Sequence, residues 1–508
     1  MLSGIFSKKT DHPMADIKSA QALLSDLPKN DVYKSLMELS EWVESVTDNT
    51  NFRPDHQFAV LRLLDETAQP YVRKLAYDYF TPRELNKFQE NRLWLVLDNW
   101  HRHTARAYYA VFKRYYNGDK GFEAIHAQLP LLAARVVSAM AGQLKYICAH
   151  YSPIDSSFWC NLAQLYLHAE QRQYLDMPLS LYSGVTDNTT VKSELGRLLF
   201  WFGCGINTLK PLYMHLTERI AGQYSSSIEI STQQDGNSLF GFDLNQPAAP
   251  IHAKPAAHVS MRFVGIAKMQ PKLSELIKIL SKGVIPKNLN LGGIYDADLV
   301  REATQYLLDY LNAPPTRHSV RHGIKAGLNI VNGFARMIQH TDVELDFSAD
   351  LPAYWDAENI STSGFCAVLP AQCTDGIQIG SLLGVQPDGV PYWGAAVVRR
   401  LMRDDTNRLH VGAEMLAHQF FGVSLSRRGA GGGFEDGQPA LWLQAKPDIP
   451  SNEVRLLMQA GVFTAHRSLQ TRLNGRNYLL IPEKLQAKGL DYDLANFRII
   501  EQEQGTEE

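Results

Sequence analysis

Cysteine is scarce in this 508-residue chain: Cys148, Cys160, Cys204, Cys366 and Cys373 are all it has. The count is odd and no pair is spaced Cys-x-x-Cys, which excludes a disulfide framework and a zinc ribbon and fits a reducing compartment. Charge of either sign is not in excess. The 50 Lys and Arg against 53 Asp and Glu leave a formal net charge of -3, too little to grip long nucleic acid by charge alone. Long apolar runs are missing as well: the most apolar window, Leu198 to Leu216, is broken by Gly203, Gly205, Asn207, Lys210 and Pro211, so a buried helix is expected there and not a membrane span. The opening residues MLSGIFSKKTDHPM lack the h-region of a signal peptide, and a soluble cytoplasmic protein is expected. What is present is ordinary globular composition, 45% apolar and 20% charged, in a chain long enough for several domains.

From about residue 16 to 222 the apolar period is helical. Val32, Leu36, Leu39, Val43 and Val46 recur at steps of three and four, which sets them on one stripe. Thr81-Pro82-Arg83-Glu84 reads as a capping box with proline at the first helical position, and Asn117-Gly118 as a stop signal. Trp159 to Tyr166, followed by Ala169, resembles the first helix of a tetratricopeptide hairpin, yet no second copy follows at a fixed period. An irregular α-helical bundle or short solenoid is therefore expected, serving oligomerisation or docking of a protein partner. Within HRHTARAYYAVFKRYY, residues 101 to 116, Ala105, Tyr108, Val111, Phe112 and Tyr115 share one helical face while Arg102, Arg106, Lys113 and Arg114 lie largely elsewhere. That is a core stripe with a solvated basic face. The two-residue spacing of His101 and His103 suits a metal site on a strand and not one on a helix, so no metal is assigned.

Beyond residue 222 the pattern changes to a mixed α/β connecting region, 223 to 313, with helical stretches near 271 to 282 and 297 to 311. Ala313-Pro314-Pro315 closes it. After the prolines the chain reads as strands of six to nine residues separated by Gly, Asp and Asn turns, the pattern of small barrels. The expected fold class is thus multidomain α+β, a helical half followed by a β half. One barrel is placed at 314 to 418, a second small β-domain or barrel extension at 419 to 500, and a solvated acidic tail at 501 to 508.

Two short segments of the β half complement each other chemically. Thr316-Arg317-His318-Ser319-Val320-Arg321 carries two arginines four apart, which on an extended segment point to the same side, roughly 13 Å from one another. Their guanidinium forks match both the O6 and N7 acceptors of guanine and the oxygens of a phosphate. The second segment, Asn359-Ile360-Ser361-Thr362-Ser363-Gly364, is too polar for an ordinary turn. Asn359 offers a donor and an acceptor on one amide, Ser361 a hydroxyl, and Gly364 the backbone freedom to pass close to a flat ligand or to take a positive φ. No nucleophile or metal cluster accompanies them.

RHSVR followed by NISTSG resembles the PilZ domain, whose pattern is RxxxR and then (D/N)xSxxG. Residues 380 to 416, with Arg399-Arg400 and the stretch Val411-Gly412-Ala413-Glu414, are similar to its later strands, so the resemblance spans about residues 315 to 418. It implies a six-stranded β-barrel that binds the bacterial second messenger cyclic di-GMP without catalysis and with no cofactor. Arg317 and Arg321 would clamp guanines and phosphates, Asn359 and Ser361 would contact a guanine, and Gly364 would permit the turn. The chain departs from the family in the 37 residues between Arg321 and Asn359, more than is usual there. Arg399 and Arg400 are read as edge-strand charges, since alternation lets only one of them face any one surface. The glycine run SRRGAGGGFEDG lacks the GKS or GKT of a P-loop and reads as a loop. Asn474-Gly475 is a hairpin signal. The competing reading is a helical scaffold whose barrel is structural only, and an enzyme is not expected because no paired catalytic groups are legible.

Overall fold

A computed structural model describes residues 12–28, 30–81, 85–119, 123, 125–184, 188–253, 259–315, 322–341, 351–369, 376–426, 437–444, 450 and 452–502. The chain divides into two compact units, Met1–Pro315 and Thr316–Glu508, at the double proline. Pro82, Arg83 and Glu84, Cys373, most of the glycine run and the last six residues lie outside the described residues.

The first unit is a helical bundle with a small sheet. Its helices are α1 Ile17–Ser25, α2 Val32–Asp48, α3 Pro54–Phe80, α4 Lys87–Tyr116, α5 Leu129–Ala149, α6 Ser156–Gln171, α7 Val191–Gly203, α8 Pro211–Gln223, α9 Met269–Leu280 and α10 Ala297–Asn312. Strands β1 Leu179–Ser180 and β2 Asn188–Thr189 pair between α6 and α7. After α8, β3 Glu229–Ser231, β4 Ser238–Asp243, β5 Ile251–His252 and β6 Met261–Gly265 form an antiparallel sheet in the order β3-β6-β4-β5. Leu36, Leu39, Val43 and Val46 of α2 are fully buried, as their spacing requires. Ala105, Tyr108, Val111 and Phe112 of α4 are buried too, while Arg102 and Lys113 stay exposed. Asn117 caps α4 and Gly118 follows with φ +77°, a left-handed stop that glycine takes without strain. The apolar window at Leu198 is two buried helices, α7 and α8, with Pro211 opening the second. No helix among the described residues is long and apolar enough to cross a membrane.

One expectation fails at α3 and α4. Thr81 ends α3, its Oγ1 and N–H both donating to the Tyr77 carbonyl, and the capping box of α4 is Asn86 with Gln89. The hydroxyl adds a second bond to a carbonyl that already accepts the helical N–H, which ties Thr81 to the end of α3. The charges this unit buries are paired. Arg135 donates to Asp65 at 2.5 Å and Glu66 at 2.9 Å; Lys145 donates to His215 Nδ1 at 2.7 Å and Glu218 at 3.1 Å, and His215 Nε2 donates to the Leu291 carbonyl at 2.8 Å.

The second unit has the expected β architecture. Strands β7 His322–Asn332, β8 Ala353–Ser361, β9 Gly364–Leu369, β10 Leu382–Pro387, β11 Gly394–Arg403 and β12 Leu409–Ala417 close into a six-stranded barrel in the order β10-β11-β12-β9-β8-β7, with helix α11 Phe334–Gln339 between β7 and β8. Leu328, Trp355, Phe365, Ala367 and Val411 are buried, and their alternation along the strands turns them into the barrel. Strands β13 Phe420–Leu425, β14 Gln438–Leu443, β15 Glu453–Gln459, β16 Leu469–Leu473, β17 Arg476–Lys488 and β18 Tyr492–Gln502 make a second sheet in the order β13-β14-β15-β18-β17-β16. A bridge between Ser426 and Gln470 brings its two edges together, so it is nearly a second barrel. Asn474 and Gly475, with φ of 52° and 80°, make the two-residue turn between β16 and β17. Strand β18 continues into the acidic end as far as Gln502. Phe334 and Met337 of α11 join Leu382, Val397, Leu416, Phe420, Leu441 and Leu494 in one core, so barrel and second sheet are packed together.

Candidate functional site

The NISTSG segment is the hairpin between β8 and β9. Ser361 pairs with Gly364, leaving Thr362 and Ser363 as the two-residue tip. Ser361 Oγ donates to the Gly364 carbonyl at 3.1 Å and lies 3.3 Å from Ser363 Oγ. The Ser363 carbonyl in turn accepts from the Met415 N–H of β12 at 2.9 Å. The polar surplus of this turn therefore begins by holding the turn itself.

Gly364 answers to a neighbouring strand. Its φ is not positive; a Cβ there would stand 2.2 Å from the Ala413 carbonyl oxygen of β12, far inside contact distance. Glycine is required because β9 and β12 approach closely at this point.

Asn359 is held differently. Its Cα partner on β9 is Cys366, while Ala357 pairs with Ala367, so Glu358 is an extra residue and the strand bulges. A bulge re-aims the side chains on either side of it. Asn359 Oδ1 is buried and accepts no hydrogen bond, where almost every buried oxygen accepts one. A buried acceptor in that state is unsatisfied and can accept from an N–H brought against it.

Arg317 and Arg321 lie outside the described residues. The covalent chain nevertheless locates their attachment: Arg321 precedes His322, the first residue of β7, and His322 pairs with Ile360 while Gly323 pairs with Asn359. The described residues among the 37 that intervene include β7, α11 and the first six residues of β8, and β7 and β8 pair antiparallel, so the two ends of the stretch meet. A second register break, between Gly323 and Ala326 of β7, lies directly across from the bulge at Glu358.

Arg399 and Arg400 depart from expectation. Strand β11 lies inside a closed barrel and has no free edge, and a register break between Val398 and Arg400 leaves both arginines exposed. The extra residue of the bulge cancels the alternation that would have separated them. Arg399 Nε donates to Glu414 Oε2 at 2.7 Å. Arg399 stands at the wall of a cleft of about 500 Å³ between barrel and second sheet, together with Glu414, Arg455, Lys484 and Asn496. Glu414 of β12 is also the Cα partner of Gly364 of β9, so this basic cleft and the NISTSG turn meet across paired strands.

Sequence reasoning passed over a cluster beside Asn359. Glu358 of β8, Cys366 of β9 and His410 of β12 turn their ends together on the outer face of the barrel. His410 Nδ1 lies 3.1 Å from Glu358 Oε2, and its Nε2 lies 3.1 Å from Asp404 Oδ2. Hydrogen bonds from Thr406, and with them those from His410 and Arg408, hold the Asp404 carboxyl below the usual range. The three residues come from three strands at unrelated spacings. The one signal in the sequence is that Cys366 alternates outward in Phe365-Cys366-Ala367-Val368, a position where cysteine is uncommon.

The fold and this site define a helical domain followed by a paired β-module with a polar, partly unsatisfied turn between β8 and β9. Residues 18–235, the greater part of the helical unit, match the family model described as the N-terminal domain of the cyclic-di-GMP receptor FimW. The helical half is thus similar to that domain. No curated protein matches the chain.

Proposed function

We propose that this chain is a cyclic di-GMP receptor whose ligand binds at the Asn359 end of a PilZ-type barrel and alters how the helical unit or the second sheet meets a protein partner. The observation that carries the reading is the agreement of two segments that share no residue. The family match covers 18–235 and bears the description of a cyclic-di-GMP receptor domain, while the ordered motifs lie at 317 to 364. Neither depends on the other.

In this reading Arg317 and Arg321 supply the charge and the guanine forks. The Asn359 amide reads a base edge through its unsatisfied oxygen, and Ser361 and Gly364 hold the turn that presents it. The pairing of His322 with Ile360 supports the geometry, because the arginine segment is joined to the strand that flanks Asn359. No bond is made or broken. The messenger is intracellular and bacterial, and a cytoplasmic location goes with it.

Isothermal titration of the full chain with cyclic di-GMP tests the proposal. Binding that weakens as salt rises, and that is lost in Arg317→Ala and Arg321→Ala, is expected. Unchanged affinity in both variants would overturn the site. No heat and no rise in melting temperature at saturating ligand would leave the barrel a structural element of a helical scaffold.

A further inference from the structure

The cluster beside the nucleotide turn has the chemistry of a metal site, which neither the motif nor the family match assigns. Glu358, Cys366 and His410 stand on three adjacent barrel strands, with the cysteine on the middle one. Cys366 lies opposite Gly412 of β12, so no side chain fills the position across from it, and His410 is two residues along the same outward face. The bulge at Glu358 brings the carboxylate to the other side of the thiol. One oxygen, Glu358 Oε2, is 3.8 Å from Cys366 Sγ and 3.1 Å from His410 Nδ1, and the three donor atoms all lie within 4.8 Å of one another.

Those spacings fit tetrahedral coordination. Zinc bonds of about 2.0–2.3 Å to oxygen, nitrogen and sulfur at a tetrahedral angle set the donors about 3.3–3.8 Å apart. The set needs only small side-chain rotations to reach that arrangement. A carboxylate, an imidazole and a thiolate are the donors of a borderline-soft divalent cation, whereas an oxygen-seeking cation such as Mg²⁺ would not select them. The histidine is oriented as metal-bound histidines are: with Nδ1 toward the cluster, Nε2–H is donated to the Asp404 carboxylate at 3.1 Å. Asp404 is fixed in turn by Thr406 Oγ1 at 2.7 Å and by Arg408 Nε at 2.9 Å.

We propose that Glu358, Cys366 and His410 bind one Zn²⁺ on the outer wall of the barrel, with Asp404 positioning the histidine and the fourth coordination position open to water or a ligand. On binding, the thiol gives up its proton to solvent and Nδ1 of His410 meets the metal without one, while Nε2 keeps the proton it donates to Asp404, so the metal competes with protons for these donors. Glu358 and Asn359 belong to the same bulge, and the metal would therefore brace the backbone that presents Asn359.

Cobalt replaces zinc with a visible spectrum and is the probe. Titrating the metal-free full chain with Co²⁺ should give tetrahedral d–d bands and a near-ultraviolet thiolate-to-cobalt band that saturate at one equivalent, and Zn²⁺ should abolish both. Cys366→Ser should lose the thiolate band, while Cys160→Ser, which changes the exposed cysteine of α6, should keep it. Glu358→Gln, at an exposed position, should weaken Co²⁺ binding about tenfold or more. Absence of the thiolate band from the unaltered chain, or its survival in Cys366→Ser, would overturn the proposal. These readouts involve no nucleotide and are independent of cyclic di-GMP binding.

Discussion

Replacing Asn359 by alanine should strengthen the free barrel and weaken its response to cyclic di-GMP. The buried Oδ1 has no donor, and leaving an acceptor in that state costs about 1–3 kcal/mol. Alanine removes the orphan and gives back up to about 1 kcal/mol in lost packing and strand preference, for a net gain of up to about 3 kcal/mol. A unit of nearly 200 residues shifts its melting temperature by about 2–4 °C per kcal/mol, so a rise of up to roughly 12 °C is expected without ligand. With ligand the order reverses. At a hundredfold excess over Kd the unaltered chain should gain about 2.7 kcal/mol, and the variant little of it. Differential scanning calorimetry of the full chain, with and without cyclic di-GMP, measures both numbers. A variant that melts lower in the absence of ligand and keeps the full ligand shift would refute the reasoning, because the oxygen would then serve the fold.

Gly364→Ala should destabilise the barrel by about 1–3 kcal/mol, since its Cβ would stand 2.2 Å from the Ala413 carbonyl; urea unfolding that matches the unaltered chain would contradict it. Arg135→Ala should cost about 3–5 kcal/mol by leaving Asp65 buried without its partner, and Arg135→Met with Asp65→Leu should recover most of that in thermal melts. The helical unit should also lose stability in acid. Burial, and after it the Lys145 charge, push the pKa of His101 down to about 3. The unfolded chain, with an ordinary histidine near 6.5, therefore binds more protons between those values. The contribution is complete above about pH 6.5 and falls as the pH drops toward 3. His101→Gln should flatten that part of the stability profile, and an unchanged slope would count against a buried neutral imidazole.

Much of the fold was legible because its signals are local. The stripe on α2, the stop at Asn117-Gly118, the double proline and the Asn474-Gly475 turn each act within a few residues, and each stands where its chemistry puts it. The misreading at Thr81 shows the limit of local signals. A threonine between two helices can serve either, and which carbonyl or N–H lies in reach is decided by the chain path. The NISTSG segment was legible as an anomaly of composition, yet composition did not divide its tasks. Ser361 closes the turn, Gly364 yields to β12, and Asn359 alone keeps an open oxygen.

Register carries what the sequence could not show. Period-two alternation assigns faces along a strand until one extra residue is inserted, and then the assignment fails without any change in residue type. Four such breaks mark this barrel, at Gly323 to Ala326, at Glu358, at Arg399 and between Ala395 and Ala396. The first two face each other across β7 and β8, where the arginine segment joins the barrel. The second also swings Glu358 toward Cys366 and His410, while the third leaves Arg399 and Arg400 exposed together. A closed barrel has no edge at which to end pairing, so a bulge is its means of re-aiming a side chain without opening the ladder. Of the residues that sequence reasoning misplaced or missed, Arg399, Arg400 and Glu358 stand at these breaks, and the proposed nucleotide and metal sites share the one at Glu358.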